Sequence, residues 1–125
     1  MSQLVAVYGT LKRDYGNHRW ALADGAKFIG RGYTDKEFFM FDGFFPMVVG
    51  GGSDGIAVEV FEIPDNPDNM DRLEGHPSHF KRELIDVRVG QDLVKAWMYL
   101  YQYPTEGLEY LPSGEWNGRV INDCS

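Results

Sequence analysis

The sequence predicts a single α+β domain over residues 1–125. Its sheet, mixed in direction but mainly antiparallel, curls into a barrel with one or two short helices. About seven segments with strand character follow one another with two helical segments among them, which favours antiparallel neighbours. Residues 55–63 are apolar on both faces, as in a strand covered on both sides. The length of 125 residues and a hydrophobic content of 43% suit one domain with one core.

Composition argues against several classes of protein. The formal net charge of -7 leaves no basic surplus for neutralising phosphates, so we expect neither a nucleic acid nor an acidic membrane surface as a partner. The single cysteine, Cys124, can form no internal disulfide and belongs to no zinc-binding cluster. No secretory leader and no apolar run of membrane-spanning length is visible. We therefore expect a cytoplasmic protein.

The first strand runs through residues 4–7 and leads into Tyr8-Gly9-Thr10-Leu11. Val5 and Val7 are β-branched and favour extended backbone. Gly9 lacks a Cβ, so the chain can turn sharply there and another molecule can approach the main chain. N–H groups beyond a strand end lack ladder partners and bind other acceptors. The loop is either an anion or oxyanion cradle or, more plainly, a strand-to-loop corner with a buried tyrosine.

A short helix and four strands follow this loop. Asn17 is a plausible N-cap for a helix through Leu22, which Asp24-Gly25 ends. Strands are predicted next over residues 26–34, 37–41, 44–49 and 55–63. Pro46 cannot donate to a ladder, so the strand that contains it is expected at a sheet edge.

The segment after residue 64 predicts the better of the two helices. Asp65 or Asn66 can cap it, and Pro67 suits its first position. Gly75 suits the position after its end. Glu74 then lies on the last turn, where helix carbonyls disfavour a negative charge and the pKa of its carboxyl should rise. A carboxylate with a raised pKa is poised as a general base, although a solvated surface glutamate is the plainer interpretation.

Two long strands and a tail complete the chain. They are predicted over residues 80–89 and 93–103, and the second alternates small or aliphatic residues with aromatic ones. From about residue 104 prolines and glycines predict an irregular C-terminal tail, which Tyr110 and Trp116 could anchor.

Common catalytic motifs are missing from the sequence. His76-x-x-His79 resembles a metal site only loosely, and we expect no metal. No serine lies in a nucleophile elbow, and no glycine pattern for a nucleotide occurs, so we expect no cofactor. The loop and Glu74 supply an oxyanion cradle and a base without a nucleophile. The substrate would then have to supply its own nucleophile.

Four motifs carry a resemblance to a known family. They are Val7-Tyr8-Gly9-Thr10-Leu11-Lys12, Asn17-His18, Met70-Asp71-Arg72-Leu73-Glu74-Gly75 and Phe80-Lys81-Arg82. With them the chain, from about Gln3 to Trp116, resembles the γ-glutamylcyclotransferase-like superfamily, and within it the γ-glutamylamine cyclotransferases and their small relatives.

The resemblance implies a barrel-like α/β fold and an intramolecular aminolysis. A γ-glutamyl substrate attacks its own γ-carbonyl with its α-amine, giving 5-oxoproline and a released amine or amino acid. Glu74 would be the general acid/base. Tyr8, Gly9, Thr10 and Leu11 would bind the glutamyl group through backbone amides, so Leu11→Ala should be tolerated better than a change at Gly9.

Several points stay open at this level. Many members carry a tyrosine where this chain has Phe80. Either this position serves in packing, or Tyr110 or Tyr103 supplies the missing hydroxyl, and Tyr110 is a candidate substrate-binding residue. Asp71 and Glu59 compete as functional carboxylates. Arg82 should pair with a carboxylate, either structurally or as a substrate clamp. The alternatives are a relative that removes a γ-glutamyl protecting group, or an inactive binding module on the same fold.

Overall fold

The structure, a computed structural model, describes residues 2–43 and 45–117. Phe44 and Cys124, which the predictions above include, lie outside this part of the chain. The described residues form two helices and eight strands, which are, in chain order, β1 (Gln3–Val7), α1 (His18–Ala23), β2 (Lys27–Thr34), β3 (Phe38–Asp42), β4 (Pro46–Gly50), β5 (Ala57–Ile63), α2 (Asp68–Glu74), β6 (Phe80–Val89), β7 (Asp92–Tyr101) and β8 (Glu109–Tyr110).

Five of these strands close into a barrel in the order β1-β5-β2-β6-β7. The pairs β1–β5, β5–β2, β2–β6 and β6–β7 are antiparallel. The barrel closes through a parallel contact between β7 and β1, where Trp97 lies opposite Val5. The predicted fold class, a mainly antiparallel mixed sheet curled into a barrel with two short helices, is therefore confirmed.

Alternation along the strands divides the apolar residues between two cores. Ala6, Val60 and Met98 belong to the first, which fills the barrel. The second lies on the outer face of the sheet, and it includes Ala21 of α1 and Met70 of α2. The helices therefore cover the second core and hold their ends close to the barrel rim.

A second, three-stranded sheet has the order β4-β3-β8 and was not predicted as a separate sheet. β3 and β4 form an antiparallel hairpin in which Asp42 lies opposite Pro46. β4 is an edge strand, as Pro46 predicted.

The tail from residue 104 is more regular than predicted. β8 pairs with β3, with Tyr110 opposite Phe41. The N–H of Ala57 donates to the carbonyl of Gly114 at 2.8 Å, and Trp116 is buried. The prolines and glycines of the tail do not indicate the two-residue strand β8, because β8 forms only by pairing with the distant strand β3.

Helix α2 begins and ends close to the predicted positions. It starts at Asp68, with Pro67 in the N-cap position, and Gly75 ends it in the left-handed conformation. Neither Asp65 nor Asn66 caps the helix. None of the helices in residues 2–43 and 45–117 combines the length and apolar character needed to cross a membrane.

Candidate active site

A cavity of about 510 Å³ opens where the loop after β1, the end of α2 and the starts of β4 and β6 meet. Its lining is Ala6, Val7, Tyr8, Gly9, Thr10, Leu11, Asn17, Phe45, Pro46, Leu73, Glu74, Gly75, His79, Phe80 and Tyr99. The predicted loop and the predicted base thus face one space, although they are more than 60 residues apart in the chain.

The loop presents main-chain donors that have no acceptor in the protein. Among the described residues, no group accepts a hydrogen bond from the N–H of Gly9, Thr10 or Leu11. Their carbonyls are used instead: Lys12 N–H donates to Gly9 at 3.0 Å and Asn17 N–H to Thr10 at 3.1 Å. Three consecutive N–H groups therefore remain available to a negatively polarised ligand atom.

The start of α1 holds this loop in place. Asn17 Nδ2 donates to Thr10 Oγ1 at 2.9 Å, and His18 Nδ1 donates to the Leu11 carbonyl at 2.8 Å. Asn17 occupies the N-cap position as predicted, but its side chain caps no helix N–H. Its side chain binds the loop instead. Asn17 and His18 therefore position the free N–H groups of residues 9–11.

Gly9 is needed for a reason other than the one predicted. A Cβ added to Gly9 would lie 2.6 Å from Pro46 Cγ, closer than real Cβ contacts. The backbone of Gly9 does not have the positive φ of a left-handed turn. The close neighbour of Gly9 is thus β4 of the same chain, and the missing side chain lets β4 form one wall of the cavity.

Glu74 is the last residue of α2, as predicted. Burial raises the pKa of its carboxyl from 4.5 to about 7, and no described residue donates a hydrogen bond to it. The direction of the shift agrees with the prediction, but its cause is burial in the cavity wall rather than the helix carbonyls. Near neutral pH this carboxyl can both accept and release a proton.

Two tyrosines lie beside this carboxyl. Burial, followed by the negative charge of Glu74, raises the pKa of Tyr8 well above its ordinary value, so the phenol stays neutral. The Tyr8 hydroxyl donates to the carbonyl of Tyr99 at 2.7 Å, and an interaction with the backbone of Val48 offsets part of the rise in its pKa. Burial and the hydrogen bond to Asp71 raise the pKa of Tyr99. The sequence did not single out Tyr99, because it is one of three aromatic residues at alternating positions of β7.

The competing carboxylates are engaged elsewhere. Asp71 accepts from Arg82 Nε at 2.9 Å and from the Tyr99 hydroxyl at 2.6 Å. Glu59 accepts from the N–H of Arg13 at 2.8 Å. Neither carboxylate lines the cavity, and neither does Arg82. Arg82 is therefore a structural partner of Asp71 rather than a substrate clamp.

Comparison with known proteins bears directly on this geometry. A family model described as "Gamma-glutamyl cyclotransferase, AIG2-like" matches residues 5–118. The chain belongs to this family. The γ-glutamyl cyclotransferases are enzymes, so the cavity is a candidate active site.

Individual relatives agree with the family assignment. The γ-glutamylcyclotransferase family protein YtfP of Escherichia coli K12 is 32% identical over 117 residues, covering 92% of this chain and 96% of that protein. The rat γ-glutamylaminecyclotransferase is 32% identical over 101 residues, covering 68% and 63%. The crystal structure of a mouse AIG2-like protein superposes with a TM-score of 0.70 at 28% identity, over 94% of this chain and 99% of the other.

In this γ-glutamyl cyclotransferase-family chain, the structure does not bring Tyr110 to the cavity. Its hydroxyl donates to Asp54 and its ring packs 5.6 Å from that of Phe39 on the three-stranded sheet. Tyr103 does not line the cavity either. The phenols at the cavity are Tyr8 and Tyr99. Within the described residues, no three His, Cys, Asp or Glu side chains converge as a metal site.

Proposed function

We propose that this chain cyclises γ-glutamyl amides. The nitrogen of the substrate's α-amine forms a bond to the γ-carbonyl carbon, the amide C–N bond breaks, and 5-oxoproline and an amine are released. The observation that carries the proposal is the single cavity shared by Glu74, with a pKa of about 7, and three N–H groups without an acceptor. An inactive binding module would not need this combination.

The proton balance follows from the position of Glu74. The ionised carboxylate takes a proton from the substrate's α-ammonium group, which frees the lone pair for attack. The same proton then passes to the departing nitrogen. The attacking nitrogen loses its second proton as the lactam forms, and Glu74 carries that proton to the released amine, so Glu74 ends the cycle ionised as it began. A pKa of about 7 suits both steps near neutral pH.

The backbone N–H donors act on the γ-carbonyl group that the amine attacks. The N–H groups of the Gly9–Leu11 loop bind the glutamyl group and polarise the γ-carbonyl as its oxygen becomes negative. One such donor contributes about 3–4 kcal/mol to lowering a barrier of this kind. Holding the amine close to the carbonyl supplies on the order of 7–11 kcal/mol in favourable cases.

The lining also explains why the substrate must supply the nucleophile. Among residues 2–43 and 45–117, no serine or cysteine lines the cavity. The hydroxyl of Thr10 accepts from Asn17, and the hydroxyl of Tyr8 donates to a backbone carbonyl. Neither of these oxygens is paired with a base that could activate it. The Tyr99 hydroxyl does donate to Asp71, but burial raises the pKa of this phenol and keeps it protonated.

A screen of γ-glutamyl amides for 5-oxoproline release tests the proposal. The wild-type chain should release 5-oxoproline, and Glu74→Gln should lower kcat by roughly 10²- to 10⁴-fold because it removes the proton carrier. The control is Glu83→Gln, since Glu83 lies exposed on β6 outside the cavity. Full activity in folded Glu74→Gln would refute the role of Glu74.

A further inference from the structure

A run of five aromatic rings leads from the cavity to the protein surface. This ring cluster consists of Phe45, His79, Phe80, Tyr101 and Tyr103. The rings of His79 and Phe80 stack at 5.3 Å with an angle of 12° between their planes. The other distances are also between ring centroids. Phe80 lies 6.1 Å from Phe45 and 5.4 Å from Tyr101, and His79 lies 5.2 Å from Tyr103.

The ring cluster has an inner and an outer part. Phe45, His79 and Phe80 line the cavity, whereas Tyr101 and Tyr103 do not. Phe80 is buried, but Phe45 is 37% exposed and Tyr103 is 49% exposed. A molecule that fills the cavity and extends outward along these rings would therefore bury aromatic surface that water now reaches.

The cluster begins beside the proton carrier. Gly75 directly follows Glu74, and His79 N–H donates to the Gly75 carbonyl at 3.0 Å. A Cβ on Gly75 would lie 3.0 Å from His79 Cβ, so the two chain segments touch. In the proposed reaction Glu74 protonates the departing nitrogen. The substituent on that nitrogen starts next to Glu74, where the rings also start.

The charges around the cavity limit what this substituent can be. In the part of the chain that the structure describes, no lysine or arginine lines the cavity, and Glu74 is the one acidic residue of its lining. A leaving group with a carboxylate finds no lysine or arginine partner among these residues, and the whole chain carries a formal charge of -7. A leaving group with a second ammonium group would have to shed water among apolar rings without a carboxylate partner of its own. An uncharged aromatic substituent has neither cost.

We propose that the ring cluster selects the leaving amine and that the preferred substrates are γ-glutamyl amides of uncharged arylalkylamines. This inference rests on the proposed function. The amide C–N bond breaks, the α-nitrogen closes the ring of 5-oxoproline, and the arylalkylamine leaves with the proton from Glu74. Stacking against Phe45 and His79 fixes the aromatic group while this happens.

Four γ-glutamyl donors that differ only in the amine test the selection. They are the amides of phenethylamine, ethylamine, phenylalanine and 1,4-diaminobutane, compared by kcat/KM for 5-oxoproline release. The phenethylamide should exceed the ethylamide on the order of 10- to 100-fold, the range expected for burying one phenyl group. Its kcat/KM should also exceed that of the phenylalanine amide, which carries an added carboxylate. It should likewise exceed that of the diaminobutane amide, whose alkyl chain ends in an ammonium group.

Matched substitutions connect the selection to the ring cluster. Phe45→Leu keeps an apolar side chain but removes the ring, and Phe45 is exposed enough that folding should survive. It should lower kcat/KM for the phenethylamide roughly 3- to 10-fold more than kcat/KM for the ethylamide. The control is Phe39→Leu, because the ring of Phe39 packs on Phe41 and Tyr110 away from the cavity. Phe39→Leu should change neither donor's kinetics.

The outcomes separate the two proposals. If no donor yields 5-oxoproline, the proposed function fails and this inference falls with it. If 5-oxoproline forms at similar rates from all four donors, or fastest from a charged one, the function holds and the inference is wrong. The inference is also wrong if Phe45→Leu affects both uncharged donors equally.

Discussion

Glu74 couples the stability of the fold to pH. Its pKa is about 7 in the folded chain and near 4.5 when the side chain is solvated, so between these values the folded state binds more protons. The free energy of unfolding therefore falls as pH rises from about 4.5 through 7, by about 3 kcal/mol for this group. The side chain in Glu74→Gln cannot ionise, so the free energy of unfolding of this variant does not fall for this reason.

Denaturant unfolding of both proteins between pH 4 and 8 measures the coupling. The variant should gain about 3 kcal/mol relative to wild type across this range, nearly all of it between pH 4.5 and 7. Glu83→Gln, on the exposed face of β6, serves as the control and should follow wild type. Parallel curves for Glu74→Gln and wild type would mean that the carboxyl is solvated.

Gly9 and Leu11 should respond to alanine in different ways. Leu11 is only 3% exposed and belongs to the core beneath the helices. Leu11→Ala should therefore cost about 2–5 kcal/mol of stability. The expectation that it is tolerated better than a change at Gly9 then applies to turnover per folded molecule. Gly9→Ala pushes the loop away from Pro46 and should cost activity out of proportion to stability. Thermal unfolding and 5-oxoproline release, measured on both variants, separate the two effects.

At the level of single residues, sequence identified the groups with an unusual local position. Glu74 stood out because it ends a helix before a left-handed Gly75, and the loop stood out because it ends a strand. The neighbours that complete the cavity could not be found this way. Pro46 and Tyr99 reach it through pairing of distant strands, and nothing in their local sequence distinguishes them from other edge and aromatic residues.

Among the elements, α2 depends on a cap from another part of the chain. Asp24, just after α1, accepts from the N–H groups of Asn69 and Met70, both at 2.9 Å. These are first-turn donors that the helix itself leaves unpaired. Asp24 thus joins the end of α1 to the start of the helix that carries Glu74.

Removing this cap should loosen α2. Asp24→Ala should cost about 1–2 kcal/mol of stability, and it should also reduce turnover because Glu74 lies at the other end of the same seven-residue helix. Asp65→Ala is the matched control, since Asp65 is exposed and caps nothing; its effect should stay within about 0.5 kcal/mol. Chemical denaturation and kcat measure both. Equal effects at the two positions would exclude Asp24 as the functional cap.

Prediction of the elements succeeded where the signal is local. The alternation of β7 and the glycine after α2 are properties of neighbouring residues, and both agree with the structure. The start of α2 was misassigned to a cap from Asp65 or Asn66, because a cap supplied from 45 residues away leaves no trace beside the helix. The two-residue β8 was missed for the same reason.

For the molecule as a whole, the Tyr8 side chain lies where the barrel meets the three-stranded sheet. Its hydroxyl donates to Tyr99 of β7, and an interaction with the backbone of Val48 in β4 lowers its otherwise raised pKa. The sequence predicted the barrel from its two-faced strand, but it could not show that β3, β4 and β8 separate from it. That separation depends on which strand edges meet in three dimensions.

Tyr8→Phe tests the contribution of this hydroxyl. The substitution keeps the ring and leaves the buried carbonyl of Tyr99 without this donor, which should cost about 1–3 kcal/mol of stability. Tyr33→Phe is the control, because Tyr33 is 61% exposed on β2 and should change stability by less than about 0.5 kcal/mol. Equilibrium denaturation measures the stability of both variants. A Tyr8→Phe protein as stable as its control would show that the hydroxyl does not stabilise the fold through Tyr99.

The parallel contact between β1 and β7 also has a consequence for how the protein is made. Val5 meets Trp97, a residue 92 positions later in the chain. The strand that leads into the donor loop therefore has one neighbour that is among the last barrel residues to be synthesised. A nascent chain carries both the loop and Glu74 well before it can hold them around a cavity. The cavity forms only after β7 has been synthesised and has paired with β1. Truncated translation products that lack β7 should therefore have no catalytic activity.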